Sequence, residues 1–273
     1  AVTIDVNAGT GTIVFGTGAD ITTTGSAAAG ASGAAGGAGG LVTLNTNNAL
    51  ITLNDTTIDT SGGAGDGGGA RGAGGAVTFS DEVALATGGV TITTGASAGT
   101  ITFSDTLNGT QTLNLTAGTG NIDFDAAVGG TNALGLVTIV SGGTVDTDAA
   151  FKSAGLDWTA TTEIQLDGLV TSTATVDLSA ALIDVNAGIT AAGQLVDLNA
   201  GANGLTVDGG AITTTGGANA VGGAIDIDSS GGGVTINSNL VSSGGTAAAG
   251  GLAGGAVTID VNAGTGTIVF GTG

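Results

Sequence analysis

From Val77 onward the chain keeps returning to one short phrase: an apolar residue, a polar one, a mostly apolar one, then a small polar residue. VTFS at Val77, ITFS at Ile101, IDFD at Ile122, IQLD at Ile164, IDVN at Ile183, LTVD at Leu205 and VTIN at Val234 all follow it. The same phase extends to Val145, to Ile268 and its equivalent Ile13, and to Ile51. A second series runs between these segments: VTID at Val2, VTLN at Val42, LVDLN at Leu195 and IDID at Ile225, with LNLT, VTIV, LDWT and VDLS in the middle. Alternation with a period of two predicts β-strands with one face buried. Strands this short, separated by Gly, Asn or Asp, cannot each build a hairpin core. Stacked as rungs they can, because each rung pairs its backbone with the rungs above and below. The prediction is an all-β chain folded as a parallel β-helix (β-solenoid) of roughly ten coils per unit, each rising about 4.8 Å. VTFSDEVALATGG, at 77–89, fits either series. An open β-sandwich is the competing arrangement. Helix is excluded by the dominance of Gly and β-branched residues and the lack of a 3.6-residue period.

A longer period lies over the short one. Residues 1–18, AVTIDVNAGTGTIVFGTG, return unchanged as 256–273. The reading is therefore one tandem repeat unit over 1–255, with 256–273 beginning the next identical repeat. The VTI and ITF rungs, the segment GTITFSDTLNGTQTLNLTAGTGNIDF at 99–124, and ITTTGG-like turns leading into GGAVTI together resemble the filamentous-haemagglutinin-like family of giant bacterial surface proteins. That resemblance implies a right-handed parallel β-helix, export to the extracellular space or bacterial cell surface, and a role in adhesion or filament formation.

Composition narrows the functional classes. The chain holds 57 Gly and no Pro, Cys, Met, Tyr or His, yet is 41% hydrophobic, which supports a buried core over a disordered or collagen-like chain. Twenty-two acidic residues face only Arg71 and Lys152, a net charge of −20. Nucleic acid is excluded as a partner, since phosphate binding needs clustered Lys and Arg. No apolar run approaches a membrane span of about 20 residues. Catalysis lacks its usual groups: there is no His, Cys or Tyr to act as base or nucleophile, and Glu82 and Glu163 lie far apart in sequence. An enzyme and a resident cofactor are not expected.

The residue after each inner pair is a small turn former, and these positions could hydrogen-bond up and down the stack as a polar ladder. A sharper reading takes Asp125, Asp148 and Asp167 as a carboxylate row on consecutive rungs, a candidate calcium site because calcium prefers oxygen ligands. Trp158 reads as core filling, and Phe15, Phe79, Phe103 and Phe124 as a stack of rings. Four Gly/Ala-rich inserts, at 25–40, 62–76, 216–224 and 244–256, share one phase and should pile along one edge, either as solvated loops or as an ordered low-relief layer. Asp66 and Arg71 could pair within one of them. The function expected from these features is a structural one, an extracellular filament or cell-surface fibre contacting further copies of itself in tandem and laterally. The alternative is the stalk or binding region of a large adhesin with a cell-surface or carbohydrate partner.

Overall fold

In the computed structural model every assigned element is a β-strand, and the residues described are 1–6, 11–30, 33–247, 250–262 and 266–271. The middle of each copy of the repeated segment (7–10 and 263–265) and the insert positions 31–32 and 248–249 lie outside them. Two compact units divide the chain, Ala1–Asp146 and Thr147–Gly273.

In the first unit each of the first four coils carries three strands. The opening coil is β1 (Val2–Asp5), β2 (Ile13–Val14) and β3 (Ile21–Thr22). The next are β4 (Val42–Asn45), β5 (Ile51–Asn54) and β6 (Thr57–Asp59), then β7 (Val77–Phe79), β8 (Val83–Thr87) and β9 (Val90–Thr93). They are followed by β10 (Ile101–Phe103), β11 (Leu107–Gly109) and β12 (Leu113–Thr116), then β13 (Ile122–Phe124) and β14 (Leu134–Thr147). Like strands stack in parallel. Val2, Val42, Val77, Ile101 and Ile122 form one column, and Ile13, Ile51, Val83 and Leu107 a second. The third face joins β3, β6, β9, β12 and β14.

The second unit repeats this plan with longer strands. Its elements are β15 (Phe151–Leu166), β16 (Val170–Ser172), β17 (Val176–Val185), β18 (Ile189–Ala191), β19 (Val196–Val207) and β20 (Ile212–Thr213). They continue through β21 (Ile225–Ser229), β22 (Val234–Ile236), β23 (Leu240–Val241), β24 (Val257–Val261) and β25 (Ile268–Phe270). Again three columns are parallel: Phe151 to Leu240 through Val170, Ile189 and Ile212; Leu156 to Val257 through Val176, Val196 and Ile225; and Ile164 to Ile268 through Ile183, Leu205 and Val234.

The parallel β-solenoid expected from the alternation is therefore present, with two corrections. A coil has three strands, where the sequence presented two series. The extra face is built from strands as short as Ile21–Thr22 and Ile212–Thr213, which place too few side chains inward to leave an alternating pattern. For the same reason the step from Ile51 to Val77 fails. Ile51 pairs with Val83, while Val77 pairs with Val42, so VTFSDEVALATGG contributes to two faces in turn.

In each unit inward residues make an apolar interior: Val42, Leu44, Ile51, Leu53 and Ile58 are fully buried in the first, and Leu178, Ile183 and Leu198 in the second. Stacking in register puts identical residues over one another. The rings of Phe79 and Phe103 lie 4.8 Å apart and nearly parallel, and those of Phe103 and Phe124 5.3 Å apart. Phe15 is not in this stack, because it follows β2 and its N–H donates to Thr52 on the second face. In the second unit Trp158 is buried with its ring edge-on to Phe151 at 5.1 Å.

Candidate functional site

Three surface arrangements follow from this register: the corner positions, a row of carboxylates, and the glycine-rich hairpins.

At the corners, small polar residues continue the ladder past the end of each rung. In the first unit the N–H groups of Ser80, Ser104 and Asp125 donate to the carbonyls of Leu44, Phe79 and Phe103, one rung away. In the second unit Asp167, Asn186, Asp208 and Asn237 do the same to Thr147, Leu166, Val185 and Val207. Their side chains then join: Asn186 Nδ2 donates to Asp167 Oδ1 at 2.7 Å, and Asn237 Nδ2 donates to Asp208 Oδ1. From Asp167 to Asn237 carboxylate and amide alternate, so Asp167 and Asp208 each meet an amide donor. This is the polar ladder read from the sequence.

Of the acids singled out as a calcium row, Asp125 is exposed at a first-unit corner, and Asp148 and Asp167 are exposed in the second unit. Carboxylate oxygens of Asp148 and Asp167 come within 4.8 Å of each other. Both oxygens of Asp167 already accept amide hydrogens, from Asn186 and from Gln165 Nε2 at 2.9 Å.

A longer row lies on another face, where the sequence pattern pointed to none. Asp157, Asp177, Asp197 and Asp226 are direct register partners on β15, β17, β19 and β21. Two positions along, Asn199 pairs with Asp228, which pairs with Asp260. Rung spacing puts these carboxylates about 4.8 Å apart. Partial burial raises the Asp177 carboxyl above its ordinary value, with the neighbouring Asp157 charge adding to it. Burial likewise raises Asp197, reinforced by Asp177 and partly offset by Asn199 Nδ2, which donates to it at 2.9 Å. Asp228 is pushed the same way by burial and by Asp226 and Asp260. The signal was present in LDWT, VDLS, VDLN and IDID, each with Asp at the second position.

One acid differs. Asp81 is buried, which alone would raise it, but it accepts the N–H groups of Thr46 at 2.6 Å and Asn48 at 2.8 Å, and the net effect lowers its pKa. It clamps a turn in which Asn47 and Asn48 adopt φ of 56° and 72°.

Over their described residues the inserts form backbone-bonded hairpins, stacked in each unit: 25–40 on 62–76, and 216–224 on 244–256. Backbone bonds run across each hairpin (Gly37 N–H to Ser26 O, Gly72 N–H to Gly63 O, both 2.8 Å) and between hairpins (Gly25 N–H to Ser61 O, Gly216 N–H to Ser243 O, both 2.8 Å). Where a glycine faces a neighbouring strand, chains bonded in two directions leave no room for a side chain. A Cβ at Gly39 would lie 1.8 Å from Thr60 O, and one at Gly63 1.9 Å from Ser26 O. In three of the four, a threonine closes the neck by donating to the returning strand: Thr23 to Gly40 O, Thr60 to Gly75 O and Thr214 to Gly223 O, at 2.5 to 2.7 Å. Arg71 donates to Gly62 O at 3.1 Å within its own insert.

Fold and surface together define a parallel β-solenoid with polar corner ladders, an acidic row and packed glycine hairpins. No helix among the described residues is long and apolar enough to cross a membrane. No family model, curated protein or solved structure matches the chain.

Proposed function

We propose that this chain is a structural segment of an extracellular filament or cell-surface fibre made of tandem β-solenoid repeats, a role like that of the bacterial surface proteins its rungs resemble. One observation carries the reading. The same residues open the first unit as β1, under Val42–Asn45, and recur as β24, over Ile225–Ser229. A rung that pairs on one side in one copy and on the other side in the next is what a solenoid needs to grow by repetition. The acidic exterior supports it further, since a net charge of −20 opposes sideways aggregation of long parallel stacks.

Cryo-electron microscopy of the native assembly tests this. A continuous fibre with an axial period near 48 Å, from roughly ten coils per repeat, is the expected result. Isolated stalks ending in a distinct head would sink it and move the function to that head, as in an adhesin.

A further inference from the structure

Residues 1–18 and 256–273 are one segment met twice with different neighbours, so together they give both sides of the rung at which one repeat passes into the next. On one side Val257 and Ile259 pair with Ile225 and Ile227. On the other their equivalents Val2 and Ile4 pair with Val42 and Leu44. The strands that lead into the glycine-rich inserts stack in two pairs, β20 with β23 (Ile212 on Leu240) and β3 with β6 (Ile21 on Ile58).

Both hairpin pairs are bonded in the same way. On the outgoing arm the earlier coil donates to the later one, Gly216 N–H to Ser243 O and Gly25 N–H to Ser61 O, at equal distances from the starts of β20 and β3. On the returning arm Gly222 N–H donates to Ala253 O at 3.0 Å, and Gly39 N–H to Ala73 O at 2.8 Å. The returning arms lie backbone against backbone: a Cβ at Gly255 would sit 2.1 Å from Gly223 O, and one at Gly75 2.2 Å from Gly40 O. The repeated segment links the two pairs. A Cβ at Gly40 would sit 2.7 Å from Ala1 N. In its other copy that alanine is Ala256, which follows Gly255 and accepts from Ile225 N–H at 2.9 Å. Evenly bonded parallel rungs keep one register along a column, so Gly255 of one repeat falls beneath Gly40 of the next.

We infer that the joint between tandem repeats is a hairpin-on-hairpin interface: the arms of insert 244–256 in one repeat seat against those of insert 25–40 in the next. Two stacked pairs then become one glycine wall four coils high, once per repeat. Register assigns its bonds. Gly244 N–H donates to Thr24 O of the next repeat, as Gly25 does to Ser61 O, and Gly254 N–H donates to Ala38 O, as Gly39 does to Ala73 O. Ala253 and Ala38 become direct partners, in a column with Val221 on one side and Ala73 on the other, and all four are exposed. Charge favours the same joint. Neither 25–40 nor 244–256 holds a charged residue, so consecutive repeats meet here free of the repulsion that a net charge of −20 sets up elsewhere. The inference rests on the reading of the chain as a tandem array.

The chain has no cysteine, so paired substitutions report contacts directly. In the full array, Ala253→Cys in one repeat is combined with Ala38→Cys in the next, and disulfides are mapped by mass spectrometry of non-reduced peptides. Adjacent parallel rungs lie about 4.8 Å apart, within disulfide reach, and rungs two coils apart about 9.6 Å, beyond it. The link between positions 253 and 38 should form as fully as the control link of Ala38→Cys with Ala73→Cys inside one repeat. Ala253→Cys with Ala73→Cys of the next repeat should link at least about tenfold less. A missing 253–38 link where the 38–73 link forms, or equal yields for 253–38 and 253–73, overturns the joint. Cryo-electron microscopy separates that failure from failure of the filament reading. A fibre that keeps its axial period but shows two low ridges, in place of one about 19 Å tall, overturns the joint alone. A cross-linked array with no axial period overturns the filament reading and leaves the joint.

Discussion

The two units share one plan and solve its corners differently. In the first, hydrogen-bonded neighbours Asn54 and Phe15 on adjacent coils are 39 residues apart; in the second, Asn186 and Asp167 are 19 apart. The long coils send their surplus chain outward as glycine hairpins and keep their rungs to a few residues. The short coils have none to spare, and β15, β17 and β19 run as continuous strands of 16, 10 and 12 residues around a corner. Continuous strands hold register over more positions, which is why four aspartates align in the second unit. Coil length thus decides what the surface presents: backbone where the coil is long, charge where it is short.

The largest expected effect breaks the glycine layer. Gly63→Val puts a branched side chain where a Cβ alone would sit 1.9 Å from Ser26 O and 2.3 Å from its carbonyl carbon. Backbone, unlike a flexible side chain, cannot step aside, so the two hairpins must separate at a cost of about 3 kcal/mol, the upper part of the overpacking range. Gly217→Val, at the tip of a second-unit hairpin with nothing within 4 Å of its Cβ position, is the control and should change the denaturation midpoint little. Equal effects at the two sites would mean that the hairpins contribute no packing to the fold. A smaller loss, about 1–3 kcal/mol, is expected for Asp81→Ala, which leaves the N–H groups of Thr46 and Asn48 without their acceptor. Its pKa is lowered, so its contribution is present above the ordinary 3.8 and fades as pH falls through the folded value. The wild type should lose this difference from the variant in acid, as urea titrations at neutral and low pH would reveal.

The fold was legible in the sequence to the extent that rungs were long enough to alternate. IDVN, LTVD and VTIN hold two inward residues each, and the Ile164, Ile183, Leu205, Val234 and Ile268 column falls where the pattern put it. The division into three faces did not show: LNLT and VTIV on the third face were read in one series with VTLN on the first, and strands as short as Ile21–Thr22 have no period to detect. Surface features were harder to place. Aligning segments by their apolar pair drew attention to the residue after the pair, hence to Asp125, Asp148 and Asp167. The Asp157–Asp226 row sits between the apolar residues, where an acidic residue looks like any outward-facing position until register shows that four coincide. The glycine hairpins were visible as composition. Whether they would be loops or a layer depended on backbone bonds between coils, which local sequence does not encode.

The mildest prediction concerns that row. Asp177, Asp197 and Asp228 all have raised pKa values, from burial and from the charges beside them. A group whose folded pKa exceeds its unfolded value stabilises fully below the unfolded value, here 3.8, and loses that contribution as pH rises through the folded one. The row therefore opposes folding at neutral pH, in the opposite sense to Asp81. Asp197→Asn removes the charge flanked by Asp177 and Asp226 while keeping an oxygen to accept from Asn199. It should stabilise the fold by about 0.5–1 kcal/mol at pH 7 and by nearly nothing at pH 3, where the wild-type carboxyl is already protonated. Added salt should shrink the neutral-pH gain, because screening weakens repulsion between partly solvated charges. If the variant gained equally at both pH values, the effect would come from packing, and the second unit's surface would differ from the first only in shape. A gain confined to neutral pH would make charge the cost of the short, continuous coil, as glycine is the requirement of the long one.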